Sequence, residues 1–270
     1  MPSKKERFEK IVADIKSIKV QGANNVAKAA LAAYSLIPDK KSEKILLDSR
    51  PTEPMMRKVL QLAKKTPKQK ILRHFQDSQE KMNNTVLNLV KNDKIIFTHC
   101  HSTSVSKALI NAHRKGRKFE VYLTETRPLY QGRRTAKELR KTGIKVTMFV
   151  DSSLGIALSG EQGFRKPGKI LIGADAILKT GVINKVGSEL LARIANEEKI
   201  PFYVVSDSWK FSNKKIPIEQ RSLNEVWNKA PKNIRIKNPA FEFVHKKYIT
   251  GIVSELGLMN YGKFLRKISL

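Results

Sequence analysis

The sequence predicts an α/β fold: a helical N-terminal domain over residues 1–90, then a mostly parallel sheet domain over residues 91–270. Apolar residues recur at helical spacing up to about residue 90, as in Ile11, Ile15 and Ile18. Beyond Lys94 the texture changes to short apolar runs separated by amphipathic stretches. Strands that alternate with helices imply right-handed βαβ units, and hence a parallel, Rossmann-like sheet. At 270 residues, 40% of them hydrophobic, the chain can bury a sizeable core.

Within the first region, residues 5–36 read as two helices interrupted at Gln21-Gly22, with Val26, Ala30 and Leu31 at helical spacing in the second. Ile45, Leu46 and Leu47 precede Arg50-Pro51-Thr52, and Pro51 and Pro54 sit where a helix start tolerates proline. A basic helix with Met55, Met56, Val59 and Leu60 follows, and residues 68–91 form another, with Ile71, Leu72, Phe75, Met82, Val86 and Val90 on one face. The apolar runs of the second region span residues 95–98, 119–123, 146–150, 170–172 and 202–205. Residues 160–168, with three glycines and a proline, read as a surface loop. Ile249, Ile252, Val253, Leu256 and Leu258 supply either a last buried strand or an interface between subunits.

Charge narrows the class of partner. Fifty-three Lys and Arg face 24 Asp and Glu, a formal net charge of +29. A chain this basic attracts polyanions, so RNA or a ribosome is a natural partner. Lys64, Lys65, Lys68, Lys70 and Arg73 are the residues assigned to such contact, through phosphates because no aromatics alternate with them. The alternative is a solvated Lys-rich surface. A single cysteine, Cys100, rules out a disulfide within the chain and fits a reducing, cytoplasmic setting. Neither a signal peptide nor a run of roughly 18 apolar residues is present, so no membrane is expected.

In an open parallel sheet, ligands bind beyond the carboxyl ends of the strands. Those ends deliver His99-Cys100-His101-Ser102, Thr124-Glu125-Thr126-Arg127, Asp151-Ser152-Ser153, Gly173-Ala174-Asp175 and Ser206-Asp207-Ser208. Cys100 facing Asp175 makes an acid/base pair; the alternatives are a small buried thiol and a turn or cap aspartate. His99, Cys100 and His101 cannot all converge from adjacent strand positions, and zinc needs more ligands than they offer, so no metal site is expected. Arg127 suits bidentate phosphate contact, or else a solvated turn; Gln131-Gly132 lets the backbone approach a ligand. Asn184 and Lys185 precede Gly187-Ser188 at an expected helix start, a place that suits an anion. Neither a Gly-rich dinucleotide fingerprint nor a Walker loop occurs, and no cofactor is expected.

Taken in order, Thr98-His99-Cys100-His101-Ser102, Thr124-Glu125-Thr126-Arg127-Pro128 through Gln131-Gly132, Gly173-Ala174-Asp175, Asn184-Lys185-Val186-Gly187 and Phe202-Tyr203-Val204-Val205 resemble one superfamily. It comprises translation initiation factor 2B alpha, beta and delta subunits, ribose-1,5-bisphosphate isomerases and methylthioribose-1-phosphate isomerases, here of an archaeal type. The resemblance implies that Cys100 and Asp175 shuttle a proton between C1 and C2 of a ring-opened sugar phosphate. It implies that Arg50, Arg127, Asn184 and Lys185 hold phosphate and sugar, and it places Gln21, Gly22, Gln131 and Gly132 in the same substrate site. Gln21-Gly22 stands where the isomerases carry Arg-Gly, and His101-Ser102-Thr103 where they carry Asn-Ser-Lys. With the segment around Lys210-Phe211, Pro217 and Gln220-Arg221, these departures favour the initiation-factor alpha type. The expectation is therefore an initiation-factor-2B-alpha-like protein with a sugar-phosphate or nucleotide pocket that contacts RNA or the ribosome. The alternative is a ribose-1,5-bisphosphate isomerase of nucleotide salvage. In either case the resemblance implies a homodimer or homohexamer.

Overall fold

The computed structural model describes residues 2–91 and 94–269. Five helices come first: α1 Lys4–Lys16, α2 Ala23–Tyr34, α3 Lys40–Ser49, α4 Pro54–Ala63 and α5 Lys68–Leu89. Local chemistry sets their ends. Ser3 and Glu6 form a reciprocal capping box on α1, and Asp39 caps α3. Pro54 opens α4, where its missing N–H costs nothing. The helices close on two adjoining clusters. One joins Phe8, Ile15, Ala30, Leu46 and Leu60, and the other joins Ala27, Leu31, Met55, Val59, Ile71 and Phe75.

A seven-stranded sheet follows, from β1 Ile95–Thr98, β2 Glu120–Thr124, β3 Lys145–Phe149, β4 Lys169–Ile172, β7 Phe202–Val205, β9 Gly251–Ser254 and β10 Gly257–Met259. Its order is β10-β9-β7-β4-β1-β2-β3, and every pair is parallel except β9 with β10. Helices cover both faces: α5, α6 Thr103–Arg114 and α7 Gln131–Arg140 on one, and α8 Leu154–Ser159, α9 Ser188–Glu197 and α10 Tyr261–Ile268 on the other. Burial on both faces explains why the strands read as continuous apolar runs. Alternate residues serve alternate faces: Ile96, Val121 and Leu171 pack under α5 and α6, while Phe97, Tyr122 and Ile172 pack against α8 and α9. Ile252 and Val253 are wholly buried in β9, a core strand, while Leu258 on the edge strand β10 stays exposed.

A second sheet was not expected. The short β5 Ala176–Ile177, β6 Gly181–Lys185 and β8 Phe241–His245 form an antiparallel ladder that folds back beside the end of β4. A hydrogen-bonded cluster around the buried Asp207 carboxylate ties the helical region to the end of β7. His74 Nε2 on α5 lies 3.0 Å from Asp207 Oδ2, Ser78 Oγ donates to the same oxygen at 2.5 Å, and His74 stacks on Trp209 with ring centroids 3.5 Å apart. Burial pushes the Asp207 carboxyl up, but the bonds from His74, Ser78 and the Trp209 N–H together hold it below the ordinary carboxylate range. A carboxyl lowered on folding stabilises the fold above its ordinary pKa, and that stabilisation is lost as pH falls through the lowered value. Asp207→Ala should therefore cost about 1.5–3 kcal/mol at neutral pH, the scale of hydrogen bonds to a charged group. It should also flatten the acid limb of a stability curve, read as denaturant midpoint against pH.

Candidate active site

Strand order sets the position of the site. From β1 the chain runs outward through β2 and β3, then returns to β1's other side for β4 and β7. The switch point lies between β1 and β4, and ligands bind at the carboxyl ends of strands at such a point. Cys100 follows β1 and Asp175 follows β4. Both border one cavity, with Gln21, Gly22, Arg50, Gln131, Asn184 and Lys185 around it. Close approach of the two strand ends needs Gly173: a Cβ there would lie 2.6 Å from Ser102 Oγ.

Cys100 sits in the left-handed region at φ +64°, which few non-glycine residues occupy. Its N–H donates to Thr126 Oγ1 at 3.1 Å, and its carbonyl accepts from Thr135 Oγ1 at 2.9 Å. That turn separates the two flanking histidines. His99 is buried between Thr124 Oγ1, at 2.6 Å, and the Val186 carbonyl, at 2.8 Å, while Cys100 and His101 border the cavity. Burial pushes the Cys100 thiol up to about 12 against the pull of Lys185, so it holds its proton at neutral pH. Burial also raises Asp175, opposed by Lys210, Arg50 and Lys185.

Several buried polar atoms at the cavity have no protein partner. They are Nε and Nη1 of Arg50, Oε2 of Glu53, Nε2 of His101 and Oε1 of Gln131. Buried polar groups are ordinarily bonded, so a ring of open donors and acceptors marks a place for a polar ligand. Basic side chains outnumber acidic ones there. Arg50, Arg134, Lys185, Lys210 and Arg221 border the cavity with Glu53 and Asp175, which suits an anion.

Two residues expected in the site lie elsewhere. Arg127 reaches Tyr130 Oη at 2.5 Å and the Val226 carbonyl at 3.1 Å, outside the cavity. Gly132 meets backbone instead of ligand: a Cβ there would fall 1.8 Å from the Thr124 carbonyl oxygen, so glycine is what lets α7 pack on the end of β2. Asn184 and Lys185 do line the cavity, but not as a helix start. They end β6, while the N-terminus of α9 is closed by Glu242, whose carboxylate accepts the Glu189 N–H at 2.6 Å. Glu53, Arg134, Lys210 and Arg221 were not assigned to the site from sequence. Glu53 reads there as an ordinary helix start before Pro54, and Arg221 sits in a segment without periodicity. Lys64, Lys65, Lys68, Lys70 and Arg73 are exposed at the junction of α4 and α5, with Lys64 paired to Glu43 at 2.8 Å.

His74, Asp207 and Glu255 also bring their ligand atoms within 4.8 Å of one another. Each carboxylate oxygen there already accepts a bond from the protein: Trp209 N–H and Ser78 on Asp207, and both the N–H and the hydroxyl of Ser208 on Glu255. The cluster is internally satisfied and works as the tie described above.

Comparison with known proteins bears on the function of this site. The sequence profile of the Initiation factor 2 subunit family matches residues 40–261. Ribose 1,5-bisphosphate isomerase of Methanocaldococcus jannaschii is 32% identical, over 94% of this chain and 91% of its own. The solved translation initiation factor eIF-2B of Pyrococcus horikoshii OT3 superposes with a TM-score of 0.81 at 26% identity, over 96% of this chain and 98% of that one. The tetrameric eIF2B-beta2-delta2 complex from C. thermophilum shares the fold, with a TM-score of 0.75 at 15% identity. Relatives named ribose 1,5-bisphosphate isomerase recur along nearly the whole chain, and they overturn the expectation of an initiation factor that contacts RNA or the ribosome. The net charge misled that expectation, because a basic excess attracts any polyanion and names no partner. Among the described residues, no helix is long and apolar enough to cross a membrane.

Proposed function

The chain belongs to the Initiation factor 2 subunit family, and on that premise we propose that it is a ribose-1,5-bisphosphate isomerase, acting in the cytoplasm on a phosphorylated pentose of nucleotide salvage. The observation that carries this is the protonated Cys100 thiol and the Asp175 carboxyl bordering one cavity with Arg50, two of whose donors have no protein partner. Aldose–ketose isomerisation moves a hydrogen from C2 to C1 and requires acid and base on the reacting carbons and oxygens. Cys100 and Asp175 supply that pair: one gives a proton as the ring opens, and the other takes one. Arg50, Lys185, Lys210 and Arg134 supply the charge for phosphate, and Asn184, Gln21 and Gln131 supply neutral contacts to the sugar. Arg127 lies apart from this set.

The chain should also form homo-oligomers, as its resemblance to the family implies. Leu190, Leu223, Trp227 and Phe243 leave apolar area exposed outside the main sheet, which suits a subunit contact. The test of substrate class compares kcat/KM for ribose 1,5-bisphosphate and methylthioribose 1-phosphate. A clear preference for the bisphosphate is expected, and an equal or reversed preference would reject the assignment.

A further inference from the structure

Glu53 has no structural task that accounts for it. It stands at the N-cap of α4, yet its side chain makes no capping bond. It is 5% exposed, Oε1 lies 3.7 Å from Arg50 Nη2, and Oε2 has no partner. A carboxylate buried this deeply ordinarily has its lone pairs filled. The same Arg50 Nη2 lies 3.4 Å from Glu219, while Nε and Nη1 of Arg50 are open. Glu53 therefore holds one long, shared contact to the guanidinium that is best placed to take an incoming anion.

We propose that Glu53 is the charge-matching residue of this cavity: it partners Arg50 in the empty site, gives up that partner when a sugar phosphate binds, and takes up a proton in exchange. The idea rests on the sugar-phosphate reading of the cavity and goes beyond it, because nothing in the isomerase assignment gives this carboxyl a role. The charged groups that face Glu53 are Arg50 from the end of α3, Asp175 from the turn after β4, Lys210 from the turn after β7, and Glu219 from the segment before β8. Burial and the charges of Asp175 and Glu219 raise its carboxyl to about 7, against Arg50 and Lys210. A phosphate dianion drawn to Arg50 adds a like charge and removes the partner, and both changes favour the protonated form. Once neutral, the carboxyl becomes a donor, and its O–H can bond a phosphate or hydroxyl oxygen of the ligand.

The test is calorimetric titration of the whole protein with ribulose 1,5-bisphosphate, the product, at about pH 8, where phosphate is fully ionised. Buffers of different ionisation enthalpy report the protons exchanged. Wild type is expected to take up roughly half a proton or more per ligand bound. Glu53→Gln keeps the shape and removes the titration, so it should bind with no such uptake. Infrared difference spectra should show a protonated-carboxyl band appearing with ligand in wild type and missing in the variant. Binding heat without proton uptake, or uptake that persists in Glu53→Gln, overturns this role for Glu53 and leaves the sugar-phosphate reading intact. Absence of any binding heat in wild type overturns that reading and this inference together.

Discussion

Asp175→Asn is expected to lower turnover of ribose 1,5-bisphosphate about 10²- to 10⁴-fold with little change in fold, because a positioned acid–base group contributes on that scale. Asparagine keeps the shape and can still accept hydrogen bonds, but it cannot carry a proton from one atom to another. Cys100→Ser should lose as much, since a serine hydroxyl has nearly the same geometry and far weaker acidity than a thiol. The loss should fall on kcat more than on KM for both variants, as it does when the interaction removed belongs to the transition state. The double variant should be no worse than the poorer single one, because the two groups act as a unit. Additive losses would mean that the two residues serve separate steps.

Replacement of Arg50 should produce the second large effect, and it acts on stability and binding together. Arg50 is buried, and its guanidinium lies near two carboxylates, Glu53 and Glu219. Arg50→Met removes the guanidinium beside Glu53, while Glu219 keeps Arg221 at 2.8 Å; the broken buried pair to Glu53 sets a loss of up to about 3–5 kcal/mol. Part of that loss depends on pH, with a definite sign. Glu53 is raised on folding to about 7, so between the ordinary carboxylate range and pH 7 the folded chain holds a proton that the unfolded chain releases. Stability therefore falls as pH rises through that window. Without Arg50 the carboxyl rises further, and the decline should extend to higher pH. Affinity for a phosphorylated sugar should drop at least about tenfold, the scale of one lost charged hydrogen bond. A denaturant midpoint that is unchanged across pH 5–8 would show that Arg50 does not carry the charge balance of the site.

The sequence made some of this site legible, and the physics separates those parts from the rest. Cys100 and Asp175 could be placed together because residues after parallel strands share one edge of the sheet, whatever their separation along the chain. Asn184 and Lys185 could be named but not located, because β6 pairs on one side with β5, which has only two residues, and on the other with β8, which is distant in sequence. No periodicity signals so short an antiparallel hairpin. The N-terminus of α9 looked open to an anion for a similar reason: Glu242, which fills it, is distant in sequence. Gly132 suggests a backbone that comes close to a ligand, but what it approaches is Thr124 backbone. Glu53 was invisible because a glutamate before a helix-opening proline is unremarkable until its carboxyl is seen buried and unpaired. Arg127 misled in the opposite direction: an arginine after a strand suits phosphate, but its contacts to Tyr130 and Val226 hold it away from the cavity.

The most direct test of the central claim follows ribose 1,5-bisphosphate by phosphorus NMR in the presence of catalytic amounts of the purified protein. Wild type is expected to convert it to ribulose 1,5-bisphosphate through many turnovers, and Cys100→Ser, folded as judged by circular dichroism, should leave it unchanged over the same period. Wild type that leaves the sugar bisphosphate untouched, or Cys100→Ser that converts it at the wild-type rate, would contradict the assignment of this cavity as an isomerase site.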